Sequence, residues 1–298
     1  MTDGKTGIVL EGGGMRGMYT CGILDVLMQN HIYLDGMVGV SAGIAFGCNY
    51  KSRQAGRALR YNVRFAHDKR YSGIRSLLKT GNYYNAWFAY HLVPTHYDVF
   101  DYNAFEDSPM ECYVVCFDVN TGEGVYQRLD KVDYECFEWI RASASMPVVA
   151  KPVEVGGHLL LDGGLADSIP LQFMINKGYD RNVVILTREE GFRKTEEHGL
   201  WMMKPFLRKY PRVIEALRHR PAAYNQQLQF VREQERQGKA FVFRPKKPLD
   251  VSRTTHNPDE MNRVYQQGRD EALQRLEELK QFLAQDTDDH NDHQPVND

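Results

Sequence analysis

The chain has 298 residues, of which 42% are hydrophobic and 26% charged, as is usual for a globular protein. A formal net charge of −2 gives no indication of a nucleic-acid partner. The amino terminus has only three apolar residues before its glycines, and no segment reaches the ~18 apolar residues of a membrane span, so neither a signal peptide nor an anchor is expected.

Five cysteines, an odd number without a CxxC pair, are typical of a reducing cytoplasm and predict buried free thiols. Cys112 and Cys116 would share one face of a strand, but no histidine pair accompanies them. We therefore expect a cytoplasmic protein without a metal or cofactor, and contact with the membrane periphery stays open.

Strands and helices alternate from the amino terminus. Residues 8–10 form a short apolar run that precedes three glycines, and residues 15–29 have the periodicity of a helix. Residues 37–40 predict a second strand that leads directly into another helix. This alternation favours an α/β fold, a three-layer α/β/α sandwich with a largely parallel central sheet.

Further strands are predicted at 112–119 and 125–129, as a hairpin, and at 183–187. Asn257, followed by proline and then glutamate, has the pattern of a helix start. The helix that it opens presents one apolar face, whose members are Met261, Val264, Tyr265, Leu276, Leu279 and Leu283.

The string GVSAG at positions 39–43 fits GxSxG, in which small residues around the serine permit a sharp turn from strand to helix. Such a turn lifts the serine hydroxyl clear of the backbone. Ser41 is therefore the candidate nucleophile.

An oxyanion hole is predicted in the string EGGGMRG. The amides of Gly12, Gly13 and Gly14 precede a helix, where unshielded donors and the helix dipole stabilise negative charge. The same string also fits the dinucleotide-binding pattern GxGxxG. That alternative requires an acidic residue at the end of the second strand, whereas Asp35 precedes the strand.

The general base is less certain from the residues alone. Asp162 follows an apolar run and precedes two glycines, which places a carboxylate at a strand end. A serine triad would also need a histidine, and those after Asp162 are His198, His219, His256, His290 and His293. Of these, His256 is the one placed to reach inward, so both a triad and a histidine-free site remain open.

Together these strings resemble the patatin-like phospholipase family, which has a GGGxRG-type loop, a GxSxG elbow and a DG[GA] aspartate. The segments ASASMPVVAKP (142–152) and DGGLADSIP (162–170) extend the resemblance, which covers about 7–186. One departure is Glu11, where the family more often has aspartate, and we interpret it as structural.

The resemblance implies a Ser41–Asp162 dyad without histidine, and amides around Gly13, Gly14 and Met15 as the oxyanion hole. Arg16 matches the basic position of the family and is a candidate contact for a substrate anion. The implied activity is hydrolysis of phospholipids or other acyl esters. Alternatives are a small-ester or thioesterase activity, a nucleotide-binding dehydrogenase, or a catalytically silent lipid-binding protein.

We divide the chain into a patatin-like catalytic domain (1–187), a helical extension packed on it (188–284) and a disordered acidic tail (285–298). Two basic segments are candidates for peripheral membrane contact. One is a stripe formed by Arg53, Arg57, Arg60 and Arg64, for which pairing with acidic residues is the alternative. The other lies around Trp201, Met202, Met203 and Phe206, followed by Arg208 and Lys209.

Overall fold

The computed structural model describes residues 4–195 and 199–285. Within these ranges, eight strands form a single sheet. The strands are β1 (Lys5–Leu10), β2 (Gly36–Val40), β3 (Glu111–Asp118), β4 (Gly124–Arg128), β5 (Val153–Val155), β6 (His158–Asp162), β7 (Tyr179–Ile185) and β8 (Ala240–Phe243).

The sheet is mostly parallel. Its order is β5-β6-β3-β2-β1-β7-β8, and β4 pairs with β3 as a hairpin. The neighbouring strands β3, β2, β1, β7 and β8 pair in parallel. The antiparallel pairs are β3 with β4, β3 with β6 and β5 with β6. The carboxyl ends of the parallel strands therefore meet at one edge, where the predicted catalytic strings lie.

Helices follow most of the strands. They are α1 (Gly17–Gln29), α2 (Ala42–Lys51), α3 (Arg57–Arg64), α4 (Ile74–Thr80), α5 (Tyr102–Asp107), α6 (Tyr134–Ser143), α7 (Leu171–Asn176), α8 (Leu200–Leu207), α9 (Pro211–Arg236), α10 (Pro258–Gln274) and α11 (Leu276–Ala284). Short 3-10 turns occur at Gly14–Arg16 and Gly163–Leu165, and a π-helix spans Phe88–Tyr97.

Both faces of the sheet are covered. Ile8 and Leu10 pack with the side that includes α1, α2 and α10, whereas Val9 between them packs with α7 and α9. Alternate residues of a strand point to opposite faces, so a fully apolar strand is what a sheet between two helix layers requires. The predicted three-layer α/β/α sandwich is confirmed.

Two predicted helices differ in detail. The first begins with the 3-10 turn Gly14–Arg16, and α1 proper starts at Gly17. The helix capped by Asn257, whose side chain accepts from the Asp259 amide (2.9 Å), ends at Gln274 instead of continuing through Leu283. The break falls at Arg275, whose guanidinium donates to the Val242 carbonyl (2.7 Å) and so ties the junction to β8.

Residues after 187 contribute to the sheet as well as to the helices, because β8 lies beside β7. Helix α10 packs against α1, where Met261 and Val264 are buried and the Tyr265 hydroxyl donates to Asp25 (2.6 Å). The predicted acidic tail lies outside the described residues, apart from Gln285. All five cysteines are buried and free, as predicted.

Candidate active site

Ser41 occupies a sharp turn between β2 and α2. It has φ 56° and ψ −125°, a backbone conformation that is strained for a residue with a side chain. Such residues cost ~1–3 kcal/mol each and persist where the surrounding structure holds them in place. The turn therefore has the sharp strand-to-helix geometry that the string GVSAG predicts.

Ser143, at the carboxyl end of α6, holds this turn. Its hydroxyl accepts a hydrogen bond from the Ser41 amide (2.8 Å) and donates to the carbonyl of Val115 in β3 (2.6 Å). Both bonds are buried. The sequence reasoning assigned Ser143 no role, although the segment ASASMPVVAKP that contains it was part of the resemblance.

The sheet register brings Asp162 to Ser41. Strand β2 pairs with β3 only as far as Val115, and β6 pairs from Cys116 onward, with Asp162 opposite Cys116. Strand β6 therefore continues where β2 ends. As a result, the Ser41 hydroxyl donates to Oδ2 of Asp162 at 2.6 Å.

The Asp162 carboxyl is buried, and burial raises its pKa above the usual value. Four interactions oppose this shift: the charges of Arg220 and Arg253, the Ser41 hydroxyl, and the amide of Gly164, which donates to Oδ1 at 2.8 Å. One carboxylate oxygen is thus fixed by the backbone and the other faces the serine. This division of roles orients the carboxylate toward the Ser41 proton.

The glycine loop lies beside the elbow. A Cβ on Gly12 would come within 2.9 Å of the Ser41 Cβ, so this close approach requires glycine. In the described part of the chain, the amides of Gly12, Gly13 and Gly14 donate to no acceptor. The Met15 amide differs from the expectation, since it donates to the Arg253 carbonyl at 3.0 Å and is already used.

Arg16 is 6% exposed, and its buried Nε donates no hydrogen bond to the described residues. Burial, followed by the charges of Arg188 and Arg253, lowers its pKa to about 10. Glu11 is buried nearby and acts structurally, because it accepts hydrogen bonds from the Thr187 amide (2.5 Å) and the Tyr224 hydroxyl (2.6 Å).

The competing residues lie elsewhere. His256 bonds through Nε2 to the Tyr83 hydroxyl (2.8 Å) and through Nδ1 to the Ala66 carbonyl (2.9 Å). His219 is exposed on α9. Asp35 precedes β2 and accepts from the Thr6 amide (2.7 Å) at the amino ends of the strands, the opposite edge of the sheet from Ser41.

An apolar cavity opens on one side of Ser41. Its walls come mainly from α2, the π-helix and α6, and include Ala45, Phe46, Tyr90, Val93, Phe137 and Ile140. In the aromatic segment 83–90, Tyr84 and Tyr90 line this cavity and Phe88 is buried in the core, while Trp87 is 59% exposed.

A second, polar cavity opens on the other side of Ser41. It is lined by the carboxylates of Glu11 and Asp162 and by five basic residues: Arg16, Arg188, Lys194, Arg220 and Arg253. All but the first of these bases lie after residue 187, in the region to which the sequence reasoning assigned no role. No motif could have indicated these four, because they are spread over three segments of the chain.

Three members of the basic stripe have partners in the described part of the chain. Arg57 is buried and donates to the Asp98 carbonyl, and Arg60 pairs with the Asp98 carboxylate at 2.7 Å. Arg64 donates to the Tyr97 carbonyl (2.7 Å). Arg57, Arg60 and Arg64 thus fasten α3 to the segment around Asp98, which supports the alternative of pairing for these three.

Helix α8 keeps its apolar side chains outside. Trp201 and Phe206 are each 72% exposed and Met202 is 56% exposed, next to exposed Lys204 and Arg208. In the described ranges, no helix is long and apolar enough to cross a membrane. The same ranges contain no cluster of three histidine, cysteine, aspartate or glutamate side chains suited to a metal ion.

Comparison with known families agrees with this geometry. Residues 8–175, more than half of the chain, match the family model of patatin-like phospholipases. The protein belongs to the patatin-like phospholipase family. Residues 210–284 match a second model, DUF6363, which is described as a domain of unknown function.

Among relatives, lysophospholipase NTE1 of Candida glabrata is 29% identical over 178 residues, which cover 58% of this chain and 10% of that protein. The chain thus spans about a tenth of this relative's length. The uncharacterized protein YjjU of Escherichia coli K12 is 26% identical over 270 residues, 83% of this chain and 70% of YjjU. The crystal structure of VipD from Legionella pneumophila superposes with a TM-score of 0.46 at 13% identity, covering 92% of this chain and 67% of VipD.

Proposed function

We propose that the protein is a lipid acyl hydrolase of the phospholipase or lysophospholipase A type, with Ser41 as nucleophile and Asp162 as base. The observation that carries this proposal is the 2.6 Å hydrogen bond from the Ser41 hydroxyl to Asp162 Oδ2, at a strained elbow beside free glycine amides. Membership of the family and the resemblance to NTE1 lysophospholipase support the choice of a lipid ester.

In this mechanism, the Ser41 oxygen attacks the acyl carbonyl carbon while its proton passes to Asp162 Oδ2. The carbonyl oxygen gains negative charge, which the amides of Gly12, Gly13 and Gly14 stabilise. The bond to the alcohol then breaks, and the alcohol takes the proton from Asp162. A water molecule next gives a proton to Asp162 and attacks the acyl-enzyme. Asp162 returns that proton to the Ser41 oxygen as the fatty acid leaves, which restores both residues.

The apolar cavity is assigned to the acyl chain, because it adjoins Ser41 and is walled by aliphatic and aromatic side chains. Of the two arginines in its lining, Arg57 is engaged by the Asp98 carbonyl and by Asn49 (2.8 Å), and Arg253 also lines the polar cavity. The wall therefore suits a hydrocarbon chain.

The dyad is tested by hydrolysis of p-nitrophenyl acyl esters of increasing chain length. We expect Ser41→Ala and Asp162→Asn each to lose about 10⁴-fold in kcat, as in other serine hydrolases. A fluorophosphonate probe should label the wild type but not Ser41→Ala.

His256→Ala serves as the control, and it should keep its activity because, among the described residues, His256 bonds to Tyr83 and Ala66 and not to Ser41 or Asp162. A comparable loss in His256→Ala would contradict a dyad. A preference for acetyl esters over long-chain esters would instead indicate the small-ester alternative.

We also propose that the protein is cytoplasmic and contacts the membrane periphery through α8. Exposed Trp201 and Phe206 would insert among lipids while Lys204, Arg208 and Lys209 meet anionic head groups. Trp201→Ala should reduce sedimentation with phosphatidylglycerol vesicles about tenfold, since a buried aromatic side chain contributes ~1.5–3 kcal/mol. Leu273→Ala, which alters an exposed apolar residue of α10, is the control and should bind like the wild type.

A further inference from the structure

The polar cavity beside Ser41 is lined by more basic than acidic side chains among the described residues. Its described lining has five basic residues and two carboxylates, Glu11 and Asp162. Glu11 is engaged by Thr187 and Tyr224, and Asp162 faces Ser41, so both carboxylates have roles of their own. A ligand that enters this cavity therefore meets mostly basic side chains among its ionisable lining residues.

Arg16 gives a second, independent observation. It is nine-tenths buried at this wall, and its Nε has no hydrogen-bond partner in the described residues. Buried charged groups are ordinarily paired, because an isolated one loses its hydration without compensation. Arg188 and Arg253 disfavour its charge further, and Glu11 and Tyr224 offset this only in part, since its pKa is still lowered. An anion in the cavity would relieve both penalties.

The cavity also has a defined position relative to the reaction. Ser41 lines both cavities, so an ester carbonyl held at Ser41 with its acyl chain in the apolar cavity directs its alcohol portion into the polar one. In a glycerophospholipid that portion carries the phosphate. Guanidinium groups match phosphate oxygens through paired hydrogen bonds.

We infer that the polar cavity is a head-group subsite for the phosphate of an anionic lysophospholipid, and that its specificity comes from residues after the family match at 8–175. Arg188 and Lys194 are its main determinants: Arg188 lies over the Phe192 ring (4.3 Å) and Lys194 over the Tyr224 ring (5.6 Å). This inference rests on the proposed acyl hydrolase function. It names the substrate class as lysolipids with a phosphomonoester, which carries ~1.5–2 negative charges at pH 7.

The test compares three substrates that share an oleoyl chain: lysophosphatidic acid, lysophosphatidylcholine and monooleoylglycerol, each in the same mixed micelles. The wild type should hydrolyse lysophosphatidic acid with a kcat/KM at least tenfold above that for monooleoylglycerol. Arg188→Gln and Lys194→Gln should each lower this ratio about tenfold, equivalent to about 1.4 kcal/mol.

Arg193→Gln is the matched control, because Arg193 belongs to the same segment but is exposed and does not line the cavity. It should keep the wild-type ratio. Equal kcat/KM for all three lipids in the wild type, or a preference that survives both Arg188→Gln and Lys194→Gln, would overturn the head-group subsite.

Binding measurements separate this inference from the proposed function. If no lipid is hydrolysed, the proposed function fails, yet calorimetry of glycerol 3-phosphate with Ser41→Ala still reports on the subsite. Binding that weakens in Ser41→Ala/Arg188→Gln but not in Ser41→Ala/Arg193→Gln supports it, and absence of binding contradicts it. Inorganic phosphate that binds as tightly as glycerol 3-phosphate, with equal turnover of the three lipids, would assign the cavity to free phosphate instead.

Discussion

The two cavities that meet at Ser41 differ in chemistry and in the part of the chain that builds them. All described residues lining the apolar cavity precede position 147 except Arg253. The polar cavity takes four of its five basic residues from positions after 187. The motif-bearing region thus supplies Ser41 and most of the apolar lining, while the region after 187 supplies most of the basic side chains of the polar cavity.

Ser41 lines both cavities, and the hydrogen bond from its amide to Ser143 can be removed by substitution. Ser143→Ala leaves the Ser41 amide and the Val115 carbonyl buried without their partner, and each such group costs ~1–3 kcal/mol. We expect the free energy of unfolding to fall by about 2 kcal/mol or more, measured by urea denaturation, with a loss of kcat on all esters. Ser145→Ala is the control, because the Ser145 hydroxyl donates only to the Arg141 carbonyl, and equal effects of the two would remove the special role of Ser143.

The apolar cavity can be altered alone at Ala45. The larger side chain of Ala45→Phe would project toward the space assigned to the acyl chain, so kcat/KM for dodecanoyl and longer esters should fall about tenfold, in line with overpacking costs of ~1–3 kcal/mol. Hydrolysis of a p-nitrophenyl acetate ester is the internal control and should change much less. Equal losses for short and long esters would place the acyl chain elsewhere.

Arg220 lines the polar cavity, and its charge is the largest of the influences that lower the pKa of Asp162. Asp162 must be ionised to accept the serine proton, and burial sets its pKa above 3.8, so activity should rise with pH through that raised pKa. Arg220→Gln removes a charge that favours ionisation, and the acid limb of the kcat/KM profile should move to higher pH. Arg218→Gln, an exposed neighbour on α9, should leave the limb in place, and an unshifted limb in Arg220→Gln would contradict the coupling.

The sequence predicts the parts of the molecule that depend on local chain chemistry. Apolar runs bounded by glycines identify β1 and β2, and small residues around Ser41 predict its turn. The position of Asp162 after an apolar run indicates a strand end. Its distance of 2.6 Å from Ser41 depends on β6 continuing the pairing where β2 ends, and that register is a tertiary property.

Other features could not be predicted because they depend on which side chains meet. The spacing of Arg57 and Arg60 places them on one helix face, but it does not reveal that this face lies against Asp98. Likewise, the sequence around Arg275 does not reveal that its guanidinium donates to the Val242 carbonyl in β8. The basic wall of the polar cavity is assembled from distant segments and leaves no contiguous pattern.

The hydrogen bond from the Met15 amide to the Arg253 carbonyl bears on which fragments of the protein keep the glycine loop in place. It joins the glycine loop, within the match at 8–175, to the connection between β8 and α10, within the match at 210–284. A fragment trimmed at the end of the patatin match would lose this brace, along with β7 and β8, and would leave β1 as an open strand edge prone to aggregation. A fragment that keeps the glycine loop in place therefore has to extend beyond the family match at 8–175.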